Sequence, residues 1–366
     1  MIVVAKIGSS SLSVDGRINH DAITKLAKEV ADLRREGIDV VVVTSGAIAV
    51  GIETVAPGVG AGTATNTPSP DVLRAASAVG QISLIGRYQD AFAAYGLPIG
   101  QVLLAPTDFW IRSRYLKSRG TIGALLAAGV VPIINENDAI ADEEIRFGDN
   151  DRLAALVAHL IRADLMVLLT DTAGLFTADP RVDDSASLIE EIAEFDHRLE
   201  EVAGESRSGV GRGGMASKLA AAKIAVWSGV ETVIAQAERS GVLQDAVADI
   251  AVGTVFRARG QRLAARKLWI AFASPAKGRV HVDVGARRAL EQHQKSLLAA
   301  GVTACEGEFS PDDPVEIVDD QGHVFAKGLA SWSSEELRTQ AGLRSSELPS
   351  HISPEVIHRD DLVVLP

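Results

Sequence analysis

At 366 residues, 47% hydrophobic and 23% charged, with 33 glycines and 13 prolines, the composition is that of a globular chain of two or three domains and excludes a disordered or collagenous one. The single cysteine, Cys305, excludes an internal disulfide framework and suits a reducing compartment, so a cytoplasmic location is expected. A net charge of −12, from 36 basic and 48 acidic residues, argues against a protein devoted to duplex nucleic acid, and 4% aromatic content argues against a base-stacking platform.

In chain order, the opening MIVVAKIG lacks a basic segment ahead of its apolar run, so no signal peptide is expected. Ile2 to Lys6 reads as a buried strand. Asn19 is a good helix cap, followed by Ile23, Leu26, Ala27, Val30 and Leu33 at helical spacing, and Gly37 closes that helix. Asp39 to Thr44 is a second strand, apolar almost throughout, as suits a sheet covered on both faces. The Gly-, Pro- and Thr-rich stretch Val55 to Pro70 reads as a surface loop. Helical patterns follow at Val72 to Tyr95 and Gly120 to Ala128, and strands at Gln101 to Leu104, Val131 to Ile134 and Leu165 to Leu169. The most apolar later stretch, Ala124 to Ile134, is too short to cross a bilayer, so no membrane partner is expected. A helix over Ala216 to Trp227 leads into a strand at Thr232 to Ala235. This alternation predicts an α/β domain, a mostly parallel sheet sandwiched by helices.

The character changes near Val255. The basic stretch Phe256 to Lys267 reads as part of a connector over 257–276 between a first domain, 1–256, and a small mainly-β barrel domain, 277–354, with a tail at 355–366. In that end GRVHVDVG, DDPVEIVDD, GHVFAKGLA and DLVVLP read as short strands separated by turns. Nine Lys/Arg stand against fifteen Asp/Glu in residues 277–366, so this end is acidic too.

Five segments could carry chemistry. Lys6-Ile7-Gly8-Ser9 ends the first strand, where open α/β sheets bind ligands, and its charge, hydroxyls and close-approach glycine suit phosphate. Read alone, it has an equal case as a lysine snorkelling beside an ordinary turn. Thr44-Ser45-Gly46-Ala47 is a small-residue turn into a helix, able to present N–H groups to an anion, or simply a tight turn. Asn135-Glu136-Asn137-Asp138 follows a strand, and Gly148-Asp149-Asn150-Asp151 opens a helix soon after. Capping explains one of these acids, and the rest point to a polar ligand bearing an ammonium group or to metal-related organisation, although the spacing is not that of a calcium loop. Thr170-Asp171, with Gly174 to Arg181 beyond, could hold a nucleoside, a weak signal taken alone.

The fifth segment is Ser208 to Lys218. Gly209, Gly211 and Gly214 match a dinucleotide fingerprint, but the preceding GESRS is polar and no strand leads into it. The stretch still opens a helix with Lys218 in its first turn, where N–H groups, dipole and ammonium can cradle phosphate together. No His/Cys/Glu spacing fits zinc, no GxSxG occurs, and no protein metal ligand is assigned.

Taken together and in order, KIGSSSL, VVTSGAI, AVGQ, PIINENDA, GDND, LLTDTAGLFTADPR and GVGRGGMASK resemble the glutamate 5-kinase family of the amino acid kinase superfamily, over residues 1 to about 256. The C-terminal end resembles a PUA domain. The resemblance implies phosphoryl transfer from ATP to the side-chain carboxylate of L-glutamate, giving L-glutamate 5-phosphate for proline synthesis, with proline as inhibitor. It implies Lys6 and Lys218 neutralising the transferring group and Asp151 orienting the lysines. Gly8, Ser9, Thr170, Asp171, Arg212, Gly213, Gly214, Met215, Ala216 and Ser217 would join the lysines around ATP. Ser45, Gly46, Asn135, Asp138, Asp149 and Asn150 would hold glutamate, and Mg²⁺ would bridge the phosphates. A homo-oligomer, dimer or tetramer, is implied, and a structural or regulatory PUA-like domain is preferred to an RNA-binding one. Arg212 departs from the hydroxyl residue usual there in the family. The rival readings are a superfamily kinase acting on aspartate, acetylglutamate, carbamate or a nucleoside monophosphate, and an RNA-binding protein.

Overall fold

The computed structural model describes residues 1–14, 17–57, 68–140, 150–180, 182–183, 185–193, 214–258, 260, 263, 265–273, 276–293, 295–349 and 352–365. They fall into two units, Met1–Arg262 and Leu263–Pro366. Along the first run β1 (Ile2–Ile7), α1 (Ser9–Leu12), the short pair β2 (Ser13–Val14) and β3 (Arg17–Ile18), α2 (His20–Arg35), β4 (Asp39–Val43), α3 (Ala47–Val55), α4 (Pro70–Ala93) and β5 (Ile99–Leu104). Then come α5 (Thr107–Trp110), α6 (Arg112–Ala127), β6 (Val131–Glu136), α7 (Asn150–Ile161), β7 (Leu165–Thr170), β8 (Glu191–Ile192), α8 (Met215–Trp227), β9 (Glu231–Gln236), α9 (Val242–Val247) and β10 (Gly253–Phe256).

One eight-stranded sheet, in the order β5-β6-β4-β1-β7-β9-β10-β8, organises this unit. It is parallel from β5 to β9, and β10 turns antiparallel to β9. The central strands are apolar and buried on both faces, Val40 to Val43 completely, because helices cover both sides. On one face Val3, Ala5, Val40, Val42 and Val167 pack against Leu26, Val30 and Leu33 of α2 and Leu84, Tyr88 and Phe92 of α4. Parallel pairing brings the carboxyl ends of β1, β4, β6 and β7 to one edge, with Lys6 in register between Val43 and Leu168.

Local signals set the helix ends. Asn19 accepts the Ala22 N–H at 3.2 Å, and Ser69, ahead of Pro70 at the first helical position, accepts that of Val72 at 3.4 Å. Gly37, at φ +78°, turns α2 into β4 while the Ile38 N–H bonds the Leu33 carbonyl at 3.1 Å. Several elements reach past the spans read from periodicity. Helix α6 begins at Arg112, where RSRYLKSR is polar and exposed and carries no apolar stripe to mark it. Strand β6 continues to Glu136, so Asn135 and Glu136 lie inside the strand and are buried, rather than following it.

Helices α3 and α4 meet backbone to backbone. A Cβ at Gly51 would lie 1.9 Å from the Ala76 carbonyl oxygen, and one at Gly80 would lie 1.8 Å from that of Ala47. Gly80→Ala must therefore push the helices apart, and is expected to cost about 1–3 kcal/mol or more, as overpacking does. The denaturant midpoint reads this, and an unchanged midpoint would contradict the contact.

The second unit contains α10 (Ala265–Leu268), β11 (Gly278–Val282), α11 (Val284–His293), β12 (Leu297–Leu298), β13 (Val302–Gly307), β14 (Pro314–Val318), β15 (Val324–Leu329), α12 (Ser334–Gln340), β16 (Glu355–Ile357) and β17 (Leu362–Val364). Five strands pair in the order β13-β11-β14-β15-β17, and β12 pairs with β16. Val280, Ile317, Phe325, Trp332, Leu337 and Val356 share its core. Its strands are separated by helices as well as turns. Helix α11 escapes a periodicity reading because among its side chains only Leu290 is buried, and α12 is announced by a capping box between Ser333 and Glu336. The residues set apart as a tail, 355–366, supply two strands, with Val363 opposite Lys327 in β15. The basic connector stretch contributes α10 to this unit.

Candidate active site

Lys6 is the fifth residue of β1, in a buried strand flanked by two others. Its position in the sheet leaves it 3% exposed, which a lone ammonium does not tolerate. The partner comes from α7. Asp151, in the first turn of that helix and 0% exposed, makes an ion pair with Lys6 through Oδ1. Its Oδ2 lies 3.2 Å from Nζ of Lys218, which is 7% exposed in α8. The Ser217 hydroxyl donates to the same oxygen at 3.1 Å and sits 3.0 Å from the Gly214 carbonyl.

Asp151 joins two ammonium groups that come from separate elements in a largely desolvated place, where burying an ion costs several kcal/mol even after relaxation. The first turns of α7 and α8 add the positive ends of two helix dipoles. The same dipole favours Asp151 and disfavours Lys218, so the carboxylate is what makes the second lysine tolerable. Gly8 contributes space: a Cβ there would stand 3.4 Å from Nζ of Lys6. Thr170, at the end of neighbouring β7, is buried and donates its hydroxyl to Asp171 at 2.9 Å.

A second cluster, of amides, adjoins through Asn150, the residue before Asp151. Its Nδ2 donates to the Thr44 carbonyl at the end of β4 and, at 2.6 Å, to Oδ1 of Asn135 in β6. That oxygen also accepts the Glu136 N–H at 2.9 Å. The Nδ2 of Asn135 and the Nε2 of Gln81 are buried without an acceptor among the described residues. Ser45 follows Thr44, and Gly46, at φ +97°, turns the chain into α3 in a conformation few other residues adopt. The Oδ2 of Asp138 accepts the Ser77 hydroxyl at 3.0 Å, tying the turn after β6 to α4.

Lys6, Asp151 and Lys218 are thus brought together, and Asn135 and Asn150 touch each other. Thr170 and Asp171 stand at the neighbouring strand end. Ser9 and Ala216 are exposed at the starts of α1 and α8, with Met215 half-buried beside Ala216. Asp149, Arg212 and Gly213 lie outside the described residues. The motifs do not single out Ser77, Gln81 or Tyr88 of α4 as site residues: Ser77 and Gln81 stand beside and within the AVGQ segment, Tyr88 lies further along the same helix, and neither position shows a contact with the strand ends.

The amino acid kinase family description matches residues 1–236, and the PUA domain description matches residues 278–352. A glutamate 5-kinase of Burkholderia mallei (strain SAVP1) is 45% identical over 368 residues, spanning 99% of this chain and 97% of its own length. One of Burkholderia thailandensis is 44% identical over 368 residues, with the same shares of 99% and 97%. Among solved structures, UMP kinase from Ureaplasma parvum aligns with a TM-score of 0.47 at 14% identity, covering 70% of this chain and 98% of that one. Full-length identity at this level, together with the matched family and PUA regions, makes the chain a member of the amino acid kinase family, among its glutamate 5-kinases.

Proposed function

We propose that the protein transfers the γ-phosphoryl group of ATP to the side-chain carboxylate of L-glutamate, giving L-glutamate 5-phosphate and ADP, the first step of proline biosynthesis. The observation that carries this reading is the buried Lys6–Asp151–Lys218 cluster beside the Asn135–Asn150 amide pair. The full-length similarity to glutamate 5-kinases supports the choice of substrate.

The chemistry asks little of acid–base groups. A glutamate side chain, with a pKa of about 4.3, is already ionised at neutral pH and needs no base to attack phosphorus. Positioning and neutralisation remain, which are the main tasks of phosphoryl transfer. Lys6 and Lys218 face one carboxylate from two elements, an arrangement suited to gripping a migrating phosphoryl group from two sides. Asp151 keeps both ammonium groups in place. Thr170, Asp171, Gly8, Ser9 and the start of α8 through Ser217 line the nucleotide side. Arg212 and Gly213 belong to this proposed set. Ser45, Gly46, Asn135, Asp138, Asp149 and Asn150 hold glutamate, with acids for its ammonium group and amide donors for its carboxylates.

Magnesium fits as an ion carried by the nucleotide. Among the described residues no group of three or more His, Cys, Asp or Glu could hold a metal, and Asp151 faces lysines. The phosphates and water would be the ion's principal ligands, and it would spread the phosphate charge.

Hydroxamate trapping with ATP tests the reading across glutamate, aspartate, acetylglutamate and carbamate, with nucleotide release measured for UMP. Product with glutamate alone supports it, and turnover of another acceptor in its place overturns it. Proline in the same assay tests feedback inhibition, and light scattering tests a dimer or tetramer. Asp138→Ala is expected to raise KM for glutamate more than KM for ATP, because Asp138 is placed on the glutamate side. Equal rises would make it a structural part.

RNA binding is the weaker reading for the second unit. Arg279 is paired with Glu316 at 3.0 Å, Arg287 with Asp319 at 2.5 Å and Arg338 with Glu308 at 2.8 Å, which opposes a phosphate-binding face. No helix among the described residues is long and apolar enough to cross a membrane. A cytoplasmic location belongs to the same proposal.

A further inference from the structure

Behind the turn that carries Ser45 lies a narrow pocket lined by Thr44, Gln81, Leu84, Tyr88, Gln101 and Asn135. Tyr88 belongs to α4 and is completely buried, yet it brings a hydroxyl into the core. That hydroxyl lies 2.8 Å from Oγ1 of Thr44. The Thr44 hydroxyl in turn donates, at 3.4 Å, to the carbonyl of Ser45. A hydroxyl has a single proton, so when Thr44 gives its own to Ser45, Tyr88 must be the donor to Thr44. Burial raises the Tyr88 phenol well above its ordinary pKa, which keeps that proton in place.

We propose that Tyr88 is a positioning residue for glutamate, acting through Thr44 to hold the Ser45 turn and the Asn150 amide in their binding arrangement. The proposal rests on the function read above. Thr44 is the junction: its hydroxyl takes the Tyr88 bond, its N–H bonds the Ile134 carbonyl at 2.9 Å, and its carbonyl receives Nδ2 of Asn150. Three elements, α4, β6 and α7, thus meet at one residue beside the Asn135–Asn150 amide pair. Among the described residues, the nucleotide side, around Thr170, Asp171 and α8, has no counterpart of the Tyr88–Thr44 bond, since the Tyr88 hydroxyl pairs with Thr44.

The neighbouring amide oxygens are already engaged: Gln101 Nε2 donates to Gln81 Oε1 at 3.2 Å, and Asn150 holds Asn135 Oδ1.

Tyr88→Phe is the test, since it removes the hydroxyl and keeps the ring. Glutamate KM is expected to rise about tenfold, the scale of a buried hydrogen bond lost with one partner left behind. KM for ATP and kcat at saturating glutamate are expected to stay unchanged. Thr44→Val should raise the glutamate KM similarly, Thr44→Ser should restore it, and Tyr88→Phe added to Thr44→Val should raise it no further. A folded Tyr88→Phe enzyme with wild-type glutamate KM, or with both KM values raised together, overturns the proposal, as do additive effects in the double variant. If Tyr88→Phe does not fold, equal glutamate KM values in Thr44→Val and Thr44→Ser overturn it. Absence of glutamate-dependent turnover in the wild type is a separate outcome, and removes the functional reading itself.

Discussion

Lys218→Ala is expected to lower kcat by about 10²–10³-fold, the scale for losing one preorganised partner of a developing charge. Lys218 differs from an ordinary surface lysine in two respects. It is held nearly out of solvent, and it shares a single carboxylate with Lys6. Its ammonium group is therefore already desolvated and oriented, and needs no reorganisation when negative charge builds on a transferring phosphoryl group. Folding should survive the change, because Asp151 keeps Lys6 as a partner. Wild-type thermal melting with strongly reduced turnover at saturating ATP and glutamate is the expected pair of results. Unchanged kcat in a folded Lys218→Ala protein would remove this lysine from the chemistry.

Asp151→Ala should act on stability as well as on turnover. Removing the carboxylate leaves Lys6 and Lys218 as buried like charges with their shared counter-charge gone. Breaking a buried ion pair from one side costs about 3–5 kcal/mol, because the remaining charge stays uncompensated. Helix α7 also loses a favourable negative charge in its first turn. Denaturant unfolding reads the stability, and initial rates read the catalysis. Adding Lys6→Met and Lys218→Met to Asp151→Ala should recover much of the lost stability and none of the activity, since the buried charges are then gone. Failure of the methionines to recover stability would mean that the carboxylate stabilises the fold by another route.

Much of the first unit can be read directly from the chain. The valine, isoleucine and leucine runs become central strands because they are short segments apolar enough to be covered on both faces. Asn19, Ser69 and Gly37 act where they stand, since a cap or a left-handed turn depends on neighbouring residues alone. Where the apolar stripe is thin, as in α6 and α11, periodicity marks part of the element or none of it. The strand at the end of the second unit was visible as DLVVLP, but its pairing with β15 was not, because pairing is a long-range choice.

The candidate site divides along the same physical line. Local order is enough to set which residues stand at strand ends and helix starts: Lys6 closing β1, Asn150 and Asp151 opening α7, Lys218 in the first turns of α8. Motif order is also enough to indicate the family. That both lysines meet on one carboxylate depends on the strand order β4-β1-β7, which places β1 beside strands remote from it in sequence. The Ser77–Asp138 bond and the Tyr88–Thr44 bond depend likewise on how α4 is seated, and the glycine contact with α3 sets that seat. Periodicity and capping act over a few residues, whereas packing joins residues that the chain holds far apart, so the contacts behind the proposed chemistry arise only once the sheet and its helices have assembled.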